Sequence, residues 1–245
     1  MHIEHVISKL NQMKLTTMAR SLAERLDNGD NKDLTHEEFI ALLVEDEYSA
    51  RESRRLKRMI SRANFKPELP CIADIVYKPE RGFTKKDMLI FTMDRWIKNA
   101  QNIILTGSTG CGKTYLAEAI AHQACRMGYP SVKIRYPILF EEINAAKGTG
   151  TYLKYLKKLS KIKILIIDDF LMQSVTAANA TALMDIIDEK QQTGSIVITT
   201  QYPIQKWYKK ITDPTMADAI CDRLIHAAYK FNLKGESMRK NRKIP

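Results

Sequence analysis

The stretch from Ile103 to Thr114 limits the possible folds more than any other part of the chain. Ile103, Ile104 and Leu105 form an apolar run that predicts a buried strand. It breaks at Gly107, Ser108, Thr109, Gly110, Cys111, Gly112, Lys113 and Thr114, and from Tyr115 to Arg126 the sequence continues in a helical period. Strand, glycine loop, helix is the setting of a phosphate-binding P-loop. Glycine lets the backbone wrap an anion with its N–H groups, and the following helix adds its positive dipole end. Lys113 is then a counter-charge for β- and γ-phosphates, and the Thr114 hydroxyl is a ligand for Mg²⁺. The expectation is a nucleoside triphosphate, ATP with Mg²⁺, held by residues 107–115.

About fifty residues on, Ile164–Ile167 is a wholly apolar strand ending in Asp168 and Asp169. This is the Walker B form, which brings carboxylates to the end of the sheet where the loop lies. Asp168 is expected to hold the metal directly or through water, and Asp169 to orient or deprotonate the attacking water. A later strand, Ser195–Thr200, ends in polar residues, so Thr200 and Gln201 are candidates to reach the γ-phosphate. Arg223 closes a short helical stretch and, taken alone, would pair with Asp222.

Strands at 103–105, 131–136, 164–167 and 195–200 alternate with helical segments at 115–126, 137–159 and 176–192. That order predicts a parallel sheet flanked by helices. One helix is expected over 84–100, and a Gly148-Thr-Gly150 break inside 137–159. Ahead of the sheet, apolar positions over 3–26 fit one helix or two broken near Lys14. Thr35 and Glu38 have the form of a capping box opening a helix that runs to about residue 62. Its second half carries Arg51, Arg54, Arg55, Lys57, Arg58 and Arg62, either a solvated face or an arm for phosphates. The expected domains are a helical region 1–66, a linker 67–83 rich in proline, and an ATPase domain 84–245.

A net charge of +11 favours a polyanionic partner. Residues 133–163 concentrate it, with Lys147, Lys154, Lys157, Lys158 and Lys161 as candidate contacts to DNA and Tyr152 and Tyr155 among them. Binding through such a stripe would read phosphates rather than sequence. The four cysteines are scattered, without C-x-x-C pairs, as in a reducing compartment. The start of the chain has no signal-peptide pattern, and no apolar run approaches the length of a membrane helix. A cytoplasmic protein with no membrane partner is expected.

Taken together, Leu10-Asn-Gln-Met-Lys-Leu15, Glu45-Asp-Glu47 with its arginines, the P-loop, Ile167-Asp-Asp-Phe170, Thr199-Thr-Gln-Tyr-Pro203, Asp213-Pro-Thr-Met-Ala-Asp-Ala219, Asp222-Arg-Leu224 and Gly235-Glu-Ser-Met-Arg239 carry a resemblance. The chain resembles the IstB-like helper ATPases of insertion-sequence transposons, relatives of the DnaC-type helicase loaders within the AAA+ class. The resemblance implies an AAA+ fold, with a small helical N-terminal domain ahead of it and subunits that self-associate into a ring or helix with ATP at each junction. Only 22 residues follow Arg223, too few for the C-terminal helical lid many AAA+ proteins carry. It implies an arginine finger at Arg223, sensor-1 at Thr200 and Gln201, and sensor-2 at Arg239. The implied partners are duplex DNA and a transposase. The alternatives are a loader that docks on a helicase and, further off, a small-molecule kinase sharing only the P-loop. The chain departs at Asp169, where most AAA+ ATPases carry Glu, and at Leu171, where the IstB-like pattern has Gly.

Overall fold

The computed structural model describes residues 2–29 and 34–238. The chain divides into two compact units, Met1–Arg58 and Met59–Pro245.

In the first unit, α1 (Ile3–Gln12) and α2 (Thr16–Asn28) are separate helices. Lys14 takes a left-handed φ of 61° and breaks them apart where the sequence suggested. The third helix, α3 (His36–Arg62), opens on the expected capping box. The Glu38 amide donates to Thr35 Oγ1, and the Thr35 amide to Glu38 Oε2. Glu47 of α3 is buried and accepts from the amides of Thr17 and Met18, so a carboxylate caps the start of α2. Burial pushes the Glu47 carboxyl up, but Arg51 and those two amides outweigh it and hold the group below the usual carboxylate range. Arg51 and Arg54 both pair with Glu47, and Arg55 with Glu52. These three arginines therefore have partners within their own helix.

The second unit is built on a five-stranded parallel sheet in the order β2-β3-β4-β1-β5. The strands are β1 (Ile103–Gly107), β2 (Ser131–Arg135), β3 (Ile164–Asp168), β4 (Ser195–Thr200) and β5 (Tyr229–Leu233). Successive side chains alternate between faces, so the apolar strands feed two cores. Ile103, Leu105, Ile164, Ile166 and Val197 pack beneath α6 (Lys113–Arg126). Ile104, Leu165, Ile167 and Ile198 pack beneath α7 (Tyr136–Gly148), α9 (Ala177–Thr193) and α10 (Pro214–Ile225). The break at Gly148–Gly150 ends α7, and α8 (Tyr152–Ser160) follows.

Three features differ from expectation. Residues 84–100 form two short helices, α4 (Lys85–Leu89) and α5 (Arg95–Lys98), rather than one. Met93 is extended between them, and the bend lets Met88, Phe91, Trp96 and Ile97 all enter the core beside β1. Residues 67–83 lie within the second unit, where Ile75 and Phe83 are core residues. The fifth strand, β5, is an additional element beside β1. Among the described residues no helix is long and apolar enough to cross a membrane.

Candidate nucleotide site

The glycine loop leaves the end of β1, between β4 and β5 in the sheet, and closes on the first turn of α6. Its bends require glycine. Gly107, Gly110 and Gly112 have φ of 144°, 85° and 96°. A Cβ on Gly107 would lie 2.2 Å from the Leu233 carbonyl oxygen, and one on Gly110 would lie 2.3 Å from Ser237 Oγ. The Met238 amide donates to the Gly110 carbonyl at 2.9 Å, so the segment after β5 forms one wall of the loop. Arg239 lies outside the described residues.

Lys113, almost fully buried, folds its ammonium onto the carbonyls of Gly107 and Ser108, each at 2.8 Å. Thr114 Oγ1 donates to Asp168 Oδ1 at 2.8 Å, which joins the loop to the end of β3. The same carboxylate oxygen accepts from the Thr199 hydroxyl, and Thr199 Oγ1 accepts from the Asp169 amide at 3.1 Å. Lys113, Thr114 and Asp168 thus converge as the sequence suggested. A cradle of backbone turns, a buried ammonium and a helix start suits a polyphosphate, and the Thr114–Asp168 pair suits a hard cation. No group of three or more His, Cys, Asp or Glu among the described residues is set to hold a metal alone.

Asp169 sits just past the strand with a φ of 58°, and its carboxylate is 3.7 Å from the Arg135 guanidinium at the end of β2. Leu171, at the position where the family resemblance has glycine, takes a φ of 61° and is fully buried. The turn is kept with a side chain in place, at a strain of roughly 1 kcal/mol. The polar end of β4 divides between two roles. Thr199 serves the carboxylates. Thr200 is buried and donates to the Phe170 carbonyl at 2.8 Å while accepting from the Tyr202 amide, and Gln201 is exposed. Sequence reasoning named Thr200 and Gln201 and missed Thr199, because only the pairing of Thr199 with Leu105 and Thr200 with Thr106 fixes which hydroxyl faces which way.

The sequence matches the family model described as IstB-like ATP binding protein over residues 8–244. The chain belongs to that family. An insertion-sequence ATP-binding protein of Sinorhizobium fredii is 33% identical over 237 residues, covering 96% of this chain and 95% of the relative. Among solved structures, that of DnaI superposes with a TM-score of 0.60 at 21% identity, over 70% of this chain and 96% of the other. The DnaC helicase loader superposes with a TM-score of 0.55 at 18% identity, over 64% and 94%. The fold is that of the AAA+ P-loop proteins, and the IstB-like chain is an ATPase.

The other candidate residues of this IstB-like chain lie away from the loop. Arg223 is near the end of α10, where its Nε donates to Asp188 of α9 at 2.7 Å and not to Asp222. Its carbonyl is approached by the amide of Asn102, the residue just before β1. Asn102, which sequence reasoning missed, is buried and also accepts from the Ile196 amide at the start of β4. Arg223 is therefore at the opposite end of β1 from the loop, separated by roughly 15 Å of strand.

On α8, Lys154, Lys157 and Lys158, with Lys161 just beyond, recur at helical spacing and are exposed, as is Lys147. Leu153 between them is 80% exposed. The two tyrosines are committed elsewhere: the Tyr152 hydroxyl donates to Asp185 and the Tyr155 hydroxyl to Glu142. The end of α8 is pinned by Lys190, whose buried ammonium donates to the carbonyls of Leu159 and Ile162. Burial, aided by nearby Lys163, pushes the Lys190 amine down to about 8.

Proposed function

We propose that this chain is an ATP-controlled, DNA-binding assembly factor that helps a transposase choose and engage its target. ATP with Mg²⁺ sits at the junction of two copies. One copy supplies residues 107–115 and Asp168, with Lys113 and Thr114 on the phosphates and the metal, and Asp169 acts on the water. The neighbour supplies Arg223. The observation that carries this reading is the position of Arg223, at the far end of β1 from its own loop, with a part-exposed guanidinium. A cation so placed cannot serve the triphosphate of its own chain, whereas side-by-side packing would bring it to the next one. An arginine delivered in that way is worth about 10³–10⁵ in rate.

The lysine row on α8 supports the DNA part of the reading. Lys154, Lys157 and Lys158 lie on one helix, and none of them ion-pairs with a carboxylate among the described residues. With both tyrosine hydroxyls turned to carboxylates, contacts should be to phosphates, and affinity should fall steeply with salt. The insertion-sequence naming of the relatives supports the transposase as partner. A cytoplasmic location with no membrane partner fits the same reading.

The test is turnover with duplex and with single-stranded DNA, for the wild type and for Arg223→Ala, alongside electron microscopy of the protein on duplex with ATP and with ADP. Assemblies on duplex with ATP only, and loss of DNA-stimulated turnover in the variant, are expected. A monomer on duplex under every nucleotide condition would overturn the proposal. Stimulation by single strands alone would favour a helicase loader.

A further inference from the structure

Lys113 is not the only cation against the glycine loop. Arg81 ends a short 3-10 turn, Pro79–Arg81, and is followed by Gly82 at a φ of 80°. That glycine is required, because a Cβ there would lie 2.1 Å from the Asn232 carbonyl oxygen. The turn carries the Arg81 carbonyl to the Lys234 amide at 3.1 Å and returns its side chain to the loop. The guanidinium donates through Nη1 to the Val76 carbonyl and through Nη2 to the Cys111 carbonyl, both at 3.0 Å. Its centre lies 5.3 Å from the centroid of the Phe83 ring. Among the described residues these partners are carbonyl oxygens and an aromatic face, with no carboxylate.

The bond to Cys111 has a direct consequence for anion binding. A trans peptide is planar, so the Cys111 carbonyl and the Gly112 N–H point in opposite directions. Fixing the carbonyl outwards fixes the Gly112 N–H inwards, towards the space the loop encloses. The left-handed backbone at Gly110 and Gly112 makes this amide part of a concave run of donors. A charged donor on the carbonyl also polarises the peptide and strengthens its N–H.

We propose that Arg81 is a positioning residue of the nucleotide site: it sets the Cys111–Gly112 peptide for phosphate binding and adds uncompensated positive charge behind it. This rests on residues 107–115 being the nucleotide site, and not on assembly, DNA or the transposase. Because it acts through the loop, its effect should be the same for a diphosphate and a triphosphate.

The test uses the full chain at high dilution without DNA, with fluorescent ADP and ATP analogues titrated against wild type, Arg81→Lys, Arg81→Gln and Arg81→Ala. The expected result is about a tenfold loss of affinity for Arg81→Ala, equal for both nucleotides. Arg81→Lys should stay within about threefold of wild type and keep its salt dependence, whereas Arg81→Gln should lose part of the salt slope. Circular dichroism and thermal unfolding without nucleotide check that each variant is folded. Wild-type affinity in a folded Arg81→Ala, or a loss fully explained by its unfolded fraction, would overturn the assignment. So would an unchanged salt slope in Arg81→Gln. If the wild type bound neither nucleotide, the reading of the loop itself would fail, which is a different result.

Discussion

The two ends of β1 treat their polar groups in opposite ways. At the C-terminal end, Thr114, Asp168 and Thr199 from α6, β3 and β4 are joined by hydrogen bonds, and Lys113 is held by the loop carbonyls beside them. At the other end, Arg223 is paired with Asp188 on an adjoining helix, and about a third of its side chain is open to solvent. On the proposed reading, the first arrangement would receive the nucleotide with groups of one chain. The second has nothing to act on unless something is set against it. The contrast would then separate binding from turnover: affinity would belong to one end, and rate acceleration to the face a neighbour would meet.

The sharpest way to break that contrast is to disable each end in turn. Arg223→Ala should lower DNA-stimulated turnover by about 10³-fold or more, while nucleotide still raises the melting temperature of the dilute protein. Loss of that thermal shift as well would mean that the two ends are not independent. Lys113→Ala should do the reverse and abolish the shift, with turnover reduced by about 10²–10³-fold.

Smaller effects are expected within the end of β4. Thr199→Val removes the hydroxyl that joins Asp168 to the Asp169 amide, and turnover should fall about tenfold or more, measured as phosphate release. Thr200→Val leaves the buried carbonyl of Phe170 without its donor, and should cost about 1–3 kcal/mol in urea unfolding with turnover of the folded protein nearly unchanged. Equal kinetic losses in both would remove the distinction drawn between them.

The smallest effect concerns Lys190, at the end of the sheet where Arg223 lies. Its folded value of about 8 is below the ordinary 10.5, so the unfolded chain holds more protons between these values. Stability should therefore rise with pH across that window, by at most about 1.4 kcal/mol per unit from this group. Comparing urea midpoints of wild type and Lys190→Met from about pH 7 to about pH 9.5 isolates it. Parallel pH profiles would show that burial of the amine has no such consequence.

Contiguous chemistry was legible from residues alone. The loop, the carboxylates after β3, the capping box at Thr35 and the break at Lys14 each depend on a few neighbours in sequence. What sequence missed depends on pairing across the sheet. Thr199 and Thr200 are equally polar, and only strand register assigns one to the carboxylates and the other to the Phe170 carbonyl. In β5, apolar Tyr229, Phe231 and Leu233 alternate with Lys230 and Asn232, the half-buried pattern of a sheet edge rather than the apolar run of an interior strand. The tyrosines of α8 looked like a stacking surface beside lysines, yet their hydroxyls find Asp185 and Glu142, which lie outside that helix. Arg81 has no local motif around it; its role emerges once residues 76, 83, 111 and 234 are brought together.

The position of β1 in the sheet has a consequence for biosynthesis. Its neighbours are β4 and β5, both made long after it, and the glycine loop rests against Leu233, Ser237 and Met238. While the ribosome is still adding those residues, Gly107 to Gly112 have no floor to lie on. The emerging polypeptide would gain its grip on nucleotide only after residues 229–238 have been made, and a copy clipped before Leu233 would compete poorly for ATP.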